Sequence, residues 1–324
     1  MPQWDPEELR QAEEIARAIE SCPVPKRHPR PAAPVRLRLS DLPELRVGLA
    51  STARALPVRA LCRAICFDEE HPFRWRLEHK LVQALAINRY LPGHIPVTRG
   101  MGRLGRQYGA AGLAQGLKRE FPNGLYIKPA LGDSSGERPM KDVTCYYLEA
   151  VDQRRQPFPQ SECITDEDTV VQDRLFIEKE YRIHTLEDRV IEDLTFLRYG
   201  NGNIPGERAR PNAWLQALLP AFPAAFLGQT LLGWDIAMDA KGRFRIIEMN
   251  FTGFHPVHRR GFQCSGYFQD WDWGASMTAR LFRFVEKVDG LAIDIELDVD
   301  DSPDKMFYSE IARWLKLLRS GEVK

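Results

Sequence analysis

Leu231–Phe251 reads LLGWDIAMDAKGRFRIIEMNF, two apolar, strand-forming runs on either side of Asp239-Ala240-Lys241-Gly242. A short Asp/Gly-containing link between such runs marks a β-hairpin. Side chains alternate faces along a strand, so Glu248 and Asn250, two apart, share one face. Antiparallel pairing across the turn brings Asp235 beside them. Two carboxylates and an amide oxygen then converge among Ile236, Ile246, Ile247 and Met249. Buried carboxylates without compensation are costly, so a neutralising cation is expected. An oxygen-only donor set suits Mg²⁺, shared with the phosphates of a nucleotide. The plain alternative is a surface hairpin whose acids are solvated.

Upstream, Leu125–Ala130 (LYIKPA) reads as a strand carrying Lys128, followed by Gly132-Asp133-Ser134-Ser135-Gly136. Such a loop can set backbone N–H groups against phosphate oxygens while the lysine adds a point charge. Val170-Val171-Gln172-Asp173 then runs toward Glu180-Tyr181-Arg182. An apolar strand opening into polar residues can hold an adenine edge, with Glu180 at the ribose and Arg182 toward phosphate. The sequence contains no G-x-x-x-x-G-K-[ST] motif, which excludes a P-loop nucleotide site.

Around these segments, residues 5–20 read as a helix led in by Trp4, Asp5 and Pro6, with Leu9, Ile15, Ala16 and Ile19 as its stripe. Residues 21–34 are Pro-rich and basic, a linker or extended arm. Helices are expected at 74–90, from Leu104 to Glu120, and over 212–229. Strands are expected at His94–Thr98, 143–151, 170–177, 180–186 and 189–199, and residues 199–212 form a long polar loop that can act as a lid. Gly100-Met101-Gly102-Arg103-Leu104-Gly105 matches G-x-G-x-x-G, but the acidic residue about twenty positions on, Glu120, ends a helix, so a loop entering a helix is expected.

The 324 residues suffice for two or three lobes with their own cores. Lys plus Arg and Asp plus Glu each number 45, a balance that offers no global field for a nucleic-acid partner. The acidic start lacks the features of a signal peptide, and no apolar run is long enough for a bilayer, so neither membrane nor export is expected. Six scattered cysteines without metal-ligand spacing suit reduced thiols in a cytoplasm.

Taken together, the motifs resemble the ATP-grasp superfamily from about Glu78 to Arg283. Lys80 with His94-Ile95-Pro96-Val97-Thr98 is similar to its first lysine and following short strand. Tyr126-Ile127-Lys128-Pro129 and the Gly/Ser loop are similar to its second lysine. Gln172-Asp173 with Glu180-Tyr181-Arg182 is similar to its adenine hinge, and Asp235, Glu248 and Asn250 to its metal hairpin. Each piece alone is common; all four in order are specific. The resemblance implies an α/β fold of two α+β lobes clasping ATP, with a reduced N-terminal domain over residues 1–75 and the ATP-grasp domain over 76–324. Within it, a nucleotide-gripping lobe spans about 98–171 and a metal-binding lobe about 172–295, with a C-terminal extension beyond.

By the same resemblance, Lys80, Lys128, Ser134 and Ser135 bind ATP phosphates. Gln172 and Asp173 seat the adenine, Glu180 the ribose, and Asp235, Glu248 and Asn250 hold two Mg²⁺. The implied reaction activates a carboxylate as an acyl phosphate for capture by an amine, with small-molecule carboxylate and amine partners and, as in many relatives, a homodimer. The chain departs from D-alanine–D-alanine ligase-like members at Gly233, where an arginine is usual, so another cation must steady the transferred phosphoryl group. Arg182, Arg198, Arg259 and Arg260 are candidates, with Lys128, Arg182 and Arg259 expected to act in catalysis. His255 and His258 cluster with Arg259 and Arg260 just past the hairpin and are candidates for an anionic substrate. Two rivals share the fold: a kinase with a hydroxyl acceptor, and a nucleotide-binding regulator without turnover.

Overall fold

The computed structural model describes residues 3–24, 35–38, 77, 79–130, 169–199, 206–228, 231–250, 271–290, 292–298 and 305–323. Its centre is an antiparallel sheet in which β5 (Lys179–Leu186), β6 (Arg189–Tyr199), β7 (Leu231–Met238) and β8 (Phe244–Asn250) run in the order β6-β5-β7-β8. The β7–β8 turn is built as its residue types require. Asp239 Oδ1 accepts from the N–H groups of Lys241 and Arg243, both at 2.9 Å, and Gly242 takes a φ of 71°, where a Cβ is unfavourable.

One face of this sheet is apolar. Tyr181, Ile183, Trp234, Ile236, Ile246 and Met249 pack with α2 (Lys80–Tyr90), α4 (Ala209–Leu218), α5 (Ala224–Leu227) and the N-terminal helix α1 (Pro6–Glu20). Trp234 is completely buried, so its indole N–H needs a partner, and it donates to Thr185 Oγ1 at 2.9 Å. A second sheet has the order β2-β4-β3, from Thr98–Gly100, Thr169–Asp173 and Leu125–Pro129. It packs on α3 (Met101–Glu120) through Val97, Leu104, Leu117, Phe121, Ile127 and Val171. A third core joins α6 (Trp271–Asp289), β9 (Ile293–Glu296) and α7 (Lys305–Ser320) to the far end of the large sheet through Leu186, Ile191 and Leu194.

The mixed α/β architecture agrees with the expectation, and several local boundaries differ. The strand expected over 170–177 ends at Asp173. The residues after it leave the sheet to cross toward β5, with Phe176 64% exposed. The strand expected at His94–Thr98 is Thr98–Gly100, since Pro96 cannot donate to a ladder. Gly100 therefore ends a strand and caps α3 directly, with no intervening loop. The helix expected over 212–229 begins at Ala209 and breaks after Leu218, where Pro220 and Pro223 interrupt its hydrogen bonding. The stripe of α1 is rotated: Leu9 is 47% exposed, while Glu8 and Ala12 are buried beside Ile15, Ala16 and Ile19. Glu8 owes its burial to Arg99, whose Nε lies 2.8 Å from its carboxylate. A pairing not expected from sequence joins β1 (Val35–Arg38) in parallel to β9. The strand expected over 143–151 lies outside the described residues.

Candidate functional site

The polar face of the large sheet carries the candidate residues. Antiparallel register sets Arg182 on β5 opposite Asp235 on β7, and Asp235 opposite Glu248 on β8. Asn250 is paired with Gly233, whose missing side chain leaves space on that face. Two bulges tune the arrangement. In β8 the pairing steps from Glu248 to Ile246, so Ile247 is the extra residue. In β6 it steps from Tyr199 to Leu197, so Arg198 is the extra residue. Such an insertion re-aims a side chain, and Arg198 reaches across two strands to Asp235 and Glu180.

Asp235 is 3% exposed and held by two guanidinium groups. Arg182 donates from Nε to Oδ1 at 2.6 Å and from Nη2 to Oδ2 at 3.0 Å, a bidentate pair. Arg198 Nη1 is 2.8 Å from Oδ2 of Asp235 and 2.9 Å from Oε1 of Glu180. Burial and the neighbouring Asp235 carboxylate push the Glu180 carboxyl above its ordinary value, against the pull of Arg198, Arg182 and Lys128. Lys128, 4% exposed, enters from β3 of the other sheet with Nζ 3.9 Å from Glu248 Oε2. That oxygen is itself buried and accepts no hydrogen bond. Three cations thus face three carboxylates across the meeting line of two sheets.

The donor chemistry can be tested against a divalent cation. Glu248 Oε2 is a buried, unbonded carboxylate oxygen, the type of group that a hard cation satisfies. Asn250 Nδ2 is 3.4 Å from both Gly233 O and Asp235 Oδ2, which leaves its amide oxygen as the acceptor. These two residues fit such an ion. Asp235 fits less directly, because both its oxygens already accept from arginine. Among the described residues no three His, Cys, Asp or Glu side chains are grouped for a metal. An ion held by Glu248 and Asn250 would have to complete its shell with other oxygens, such as those of phosphate and water.

The other candidates divide clearly. Lys80 opens α2, and its N–H donates to Ala130 O at 2.8 Å, just past Lys128. Gln172 and Asp173 end β4, 6% and 8% exposed. The Gln172 amide is engaged within the protein, with Nε2 3.2 Å from Thr98 Oγ1 and 3.3 Å from Ile247 O. Asp173 Oδ1 is buried without a hydrogen bond, and burial raises the affinity of this carboxyl for its proton. Ser134, Ser135, His255, His258, Arg259 and Arg260 lie outside the described residues, as do residues 200–205 of the expected lid.

Sequence reasoning missed Gln83. It lies within Leu81–Ile87 (LVQALAI), a buried stretch of α2, and the signal was there: a lone amide in an apolar run must find polar partners. Among the described residues no helix is long and apolar enough to cross a membrane.

No protein-family model matches the chain, and no curated protein matches it. Solved structures do. An N5-carboxyaminoimidazole synthase from Aspergillus clavatus, in complex with ADP and 5-aminoimidazole ribonucleotide, is 14% identical with a TM-score of 0.40, over 60% of this chain and 50% of that one. The ATP-grasp ligase PsnB, complexed with a precursor variant, Mg and ADP, is 16% identical with a TM-score of 0.37, over 81% and 88%. An L-amino acid ligase from Bacillus licheniformis is 16% identical with a TM-score of 0.34, over 60% and 46%. The chain spans about half the length of the first of these. An ATP-grasp ligase is thus among the proteins it is similar to.

Proposed function

We propose that this chain is an ATP-grasp-type enzyme that uses ATP and Mg²⁺ to activate a carboxylate for attack by an amine. The observation that supports it most is the approach of Lys128 Nζ to the buried, unbonded Glu248 Oε2 at 3.9 Å, from two different sheets. A cation and an unsatisfied carboxylate facing each other at a lobe boundary suit a ligand carrying both negative charge and metal. In this reading Lys80, Lys128 and the Ser134–Ser135 loop bind phosphate. Gln172, Asp173 and Glu180 line the nucleoside end, with the backbone more available than the engaged Gln172 amide. Glu248 and Asn250, with Asp235 behind them, would hold Mg²⁺, which supplies charge neutralisation at the transferred phosphoryl group.

The chain's own cations do the rest. Arg182 supplies the charge that Gly233 cannot, from the neighbouring strand and held in place by Asp235. Arg198 is placed to shift between Glu180, Asp235 and a phosphate. The substrate carboxylate oxygen attacks the γ-phosphorus as the bond to the β-phosphate oxygen breaks, releasing ADP. The amine nitrogen then attacks the acyl carbon, phosphate departs with the bonding pair, and the nitrogen loses a proton. Positioning and electrostatics carry such a transfer.

The test is ADP release by the whole protein with ATP, Mg²⁺ and panels of carboxylates and amines. Acid-dependent ADP formation that hydroxylamine traps as a hydroxamate is expected, falling at least about 100-fold in Glu248→Gln. A stable phosphate ester from a hydroxyl acceptor would assign a kinase instead. Unchanged turnover in Glu248→Gln would refute the metal assignment.

A further inference from the structure

The strand that carries Glu248 and Asn250 is the edge of its sheet, and an edge strand has one row of backbone groups without strand partners. The nucleotide-side elements supply partners along this row. Ile246 N–H donates to His94 O at 2.8 Å, and Ile247 O lies 3.3 Å from Gln172 Nε2. Met249 is bound most fully: its N–H donates to Gln83 Oε1 at 2.7 Å, while its carbonyl accepts from Gln83 Nε2. The side-chain amide of Gln83 therefore pairs with a single residue as a neighbouring strand would, and it is 2% exposed. Its Nε2 also donates to Leu77 O at 2.9 Å, so the amide plane is itself fixed.

Met249 lies between the two proposed oxygen ligands. Holding its peptide groups fixes the roll of β8 about its own axis, with the Met249 side chain in the core and those of Glu248 and Asn250 on the opposite face. We infer that Gln83 is a positioning residue, which sets the oxygens of Glu248 and Asn250 for the divalent cation without touching it. This rests on the proposed function and adds a residue to it. It also assigns a role to an amide that would otherwise be out of place in an apolar helix.

The experiment measures Mn²⁺ affinity by electron paramagnetic resonance on the full chain with ADP, in the wild type, Gln83→Met and Asn212→Ala. The methionine keeps the shape of glutamine and removes both bonds to Met249. Asn212→Ala removes a different buried bond, the one that Thr195 Oγ1, on the edge strand opposite β8, donates to Asn212 Oδ1 at 2.7 Å. The expected result is a Mn²⁺ dissociation constant raised about 10–100-fold in Gln83→Met, the range seen when outer-shell partners of a metal site are removed, and unchanged in Asn212→Ala. Hydrogen exchange at the Met249 amide should quicken in Gln83→Met alone. An unchanged Mn²⁺ constant in Gln83→Met beside a binding wild type overturns the positioning role, and so does an equal rise in Asn212→Ala. A wild type that binds no Mn²⁺ with ADP overturns the proposed function itself, and the inference with it. If Gln83→Met does not fold, Gln83→Asn, one methylene too short to keep both bonds, is measured by the same criteria.

Discussion

At the scale of single residues, the Asp235 carboxylate organises the polar face of the sheet. It is buried, accepts two bonds from Arg182 and lies 2.8 Å from Arg198. A buried ion pair adds little net stability against an apolar replacement, but removing one partner strands the other. Asp235→Asn is therefore expected to lower unfolding stability by about 3 kcal/mol, measured in urea, because it removes the carboxylate that takes two bonds from the 5%-exposed Arg182. The double variant Asp235→Asn/Arg182→Met should recover part of that loss. A double variant no more stable than the single one would mean that the pair holds the sheet together by some route other than mutual neutralisation.

At the scale of elements, Glu286 ties α6 to β9 and α7. Its carboxylate accepts from Ile293 N–H at 3.0 Å and Arg283 Nη1 at 2.9 Å, and from the Arg319 guanidinium near the end of α7. Burial alone would raise its pKa, yet the bonds from Arg319, Ile293 N–H and Arg283 outweigh burial and hold it below the ordinary value. A depressed carboxyl stabilises fully above the unfolded-chain value of about 4.3, and that contribution is lost as pH falls through the folded value. The thermal midpoint should therefore drop more steeply on acidification below about pH 4.3 in the wild type than in Glu286→Gln. Parallel curves would show that this carboxylate does not hold α7. Sequence made some elements readable and hid others for identifiable reasons. The β7–β8 hairpin was legible because its turn chemistry and the spacing of Glu248 and Asn250 are local. The β1–β9 pairing was not, because residues more than 250 positions apart leave no local periodicity to read. Leu9 misled because amphipathic spacing counts apolar residues, whereas the buried position of that turn went to Glu8, drawn in by Arg99. The placement of Asp235, Glu248 and Asn250 on facing strands was legible, but the hold of Arg182 and Arg198 on Asp235 depends on strand order and a bulge, which only the folded chain shows.

At the scale of the whole molecule, the question is whether the two sheets can move independently. One core runs through both: Ile15 and Ile19 of α1, Leu85 and Ile87 of α2, Val170 of the small sheet, and Ile183 and Trp234 of the large one belong to the same buried cluster. Trp4 packs against this cluster and also against the core under the small sheet. Gln83, Gln172 and His94 add bonds across the boundary at the β8 edge. Elements that share buried apolar surface open together, since separating them exposes both sides to water. The 3.9 Å separation of Lys128 Nζ and Glu248 Oε2 is then a property of the core rather than of a closing motion. Native-state hydrogen exchange in urea tests this directly. The amides of Val171 in the small sheet and Ile183 in the large sheet should converge on a single opening free energy. Values that stay apart by more than about 2 kcal/mol would show two separately opening units. In that case the two sheets could part while each stays folded, and removing the Gln83 bonds should slow ligand association more than it weakens the bound state.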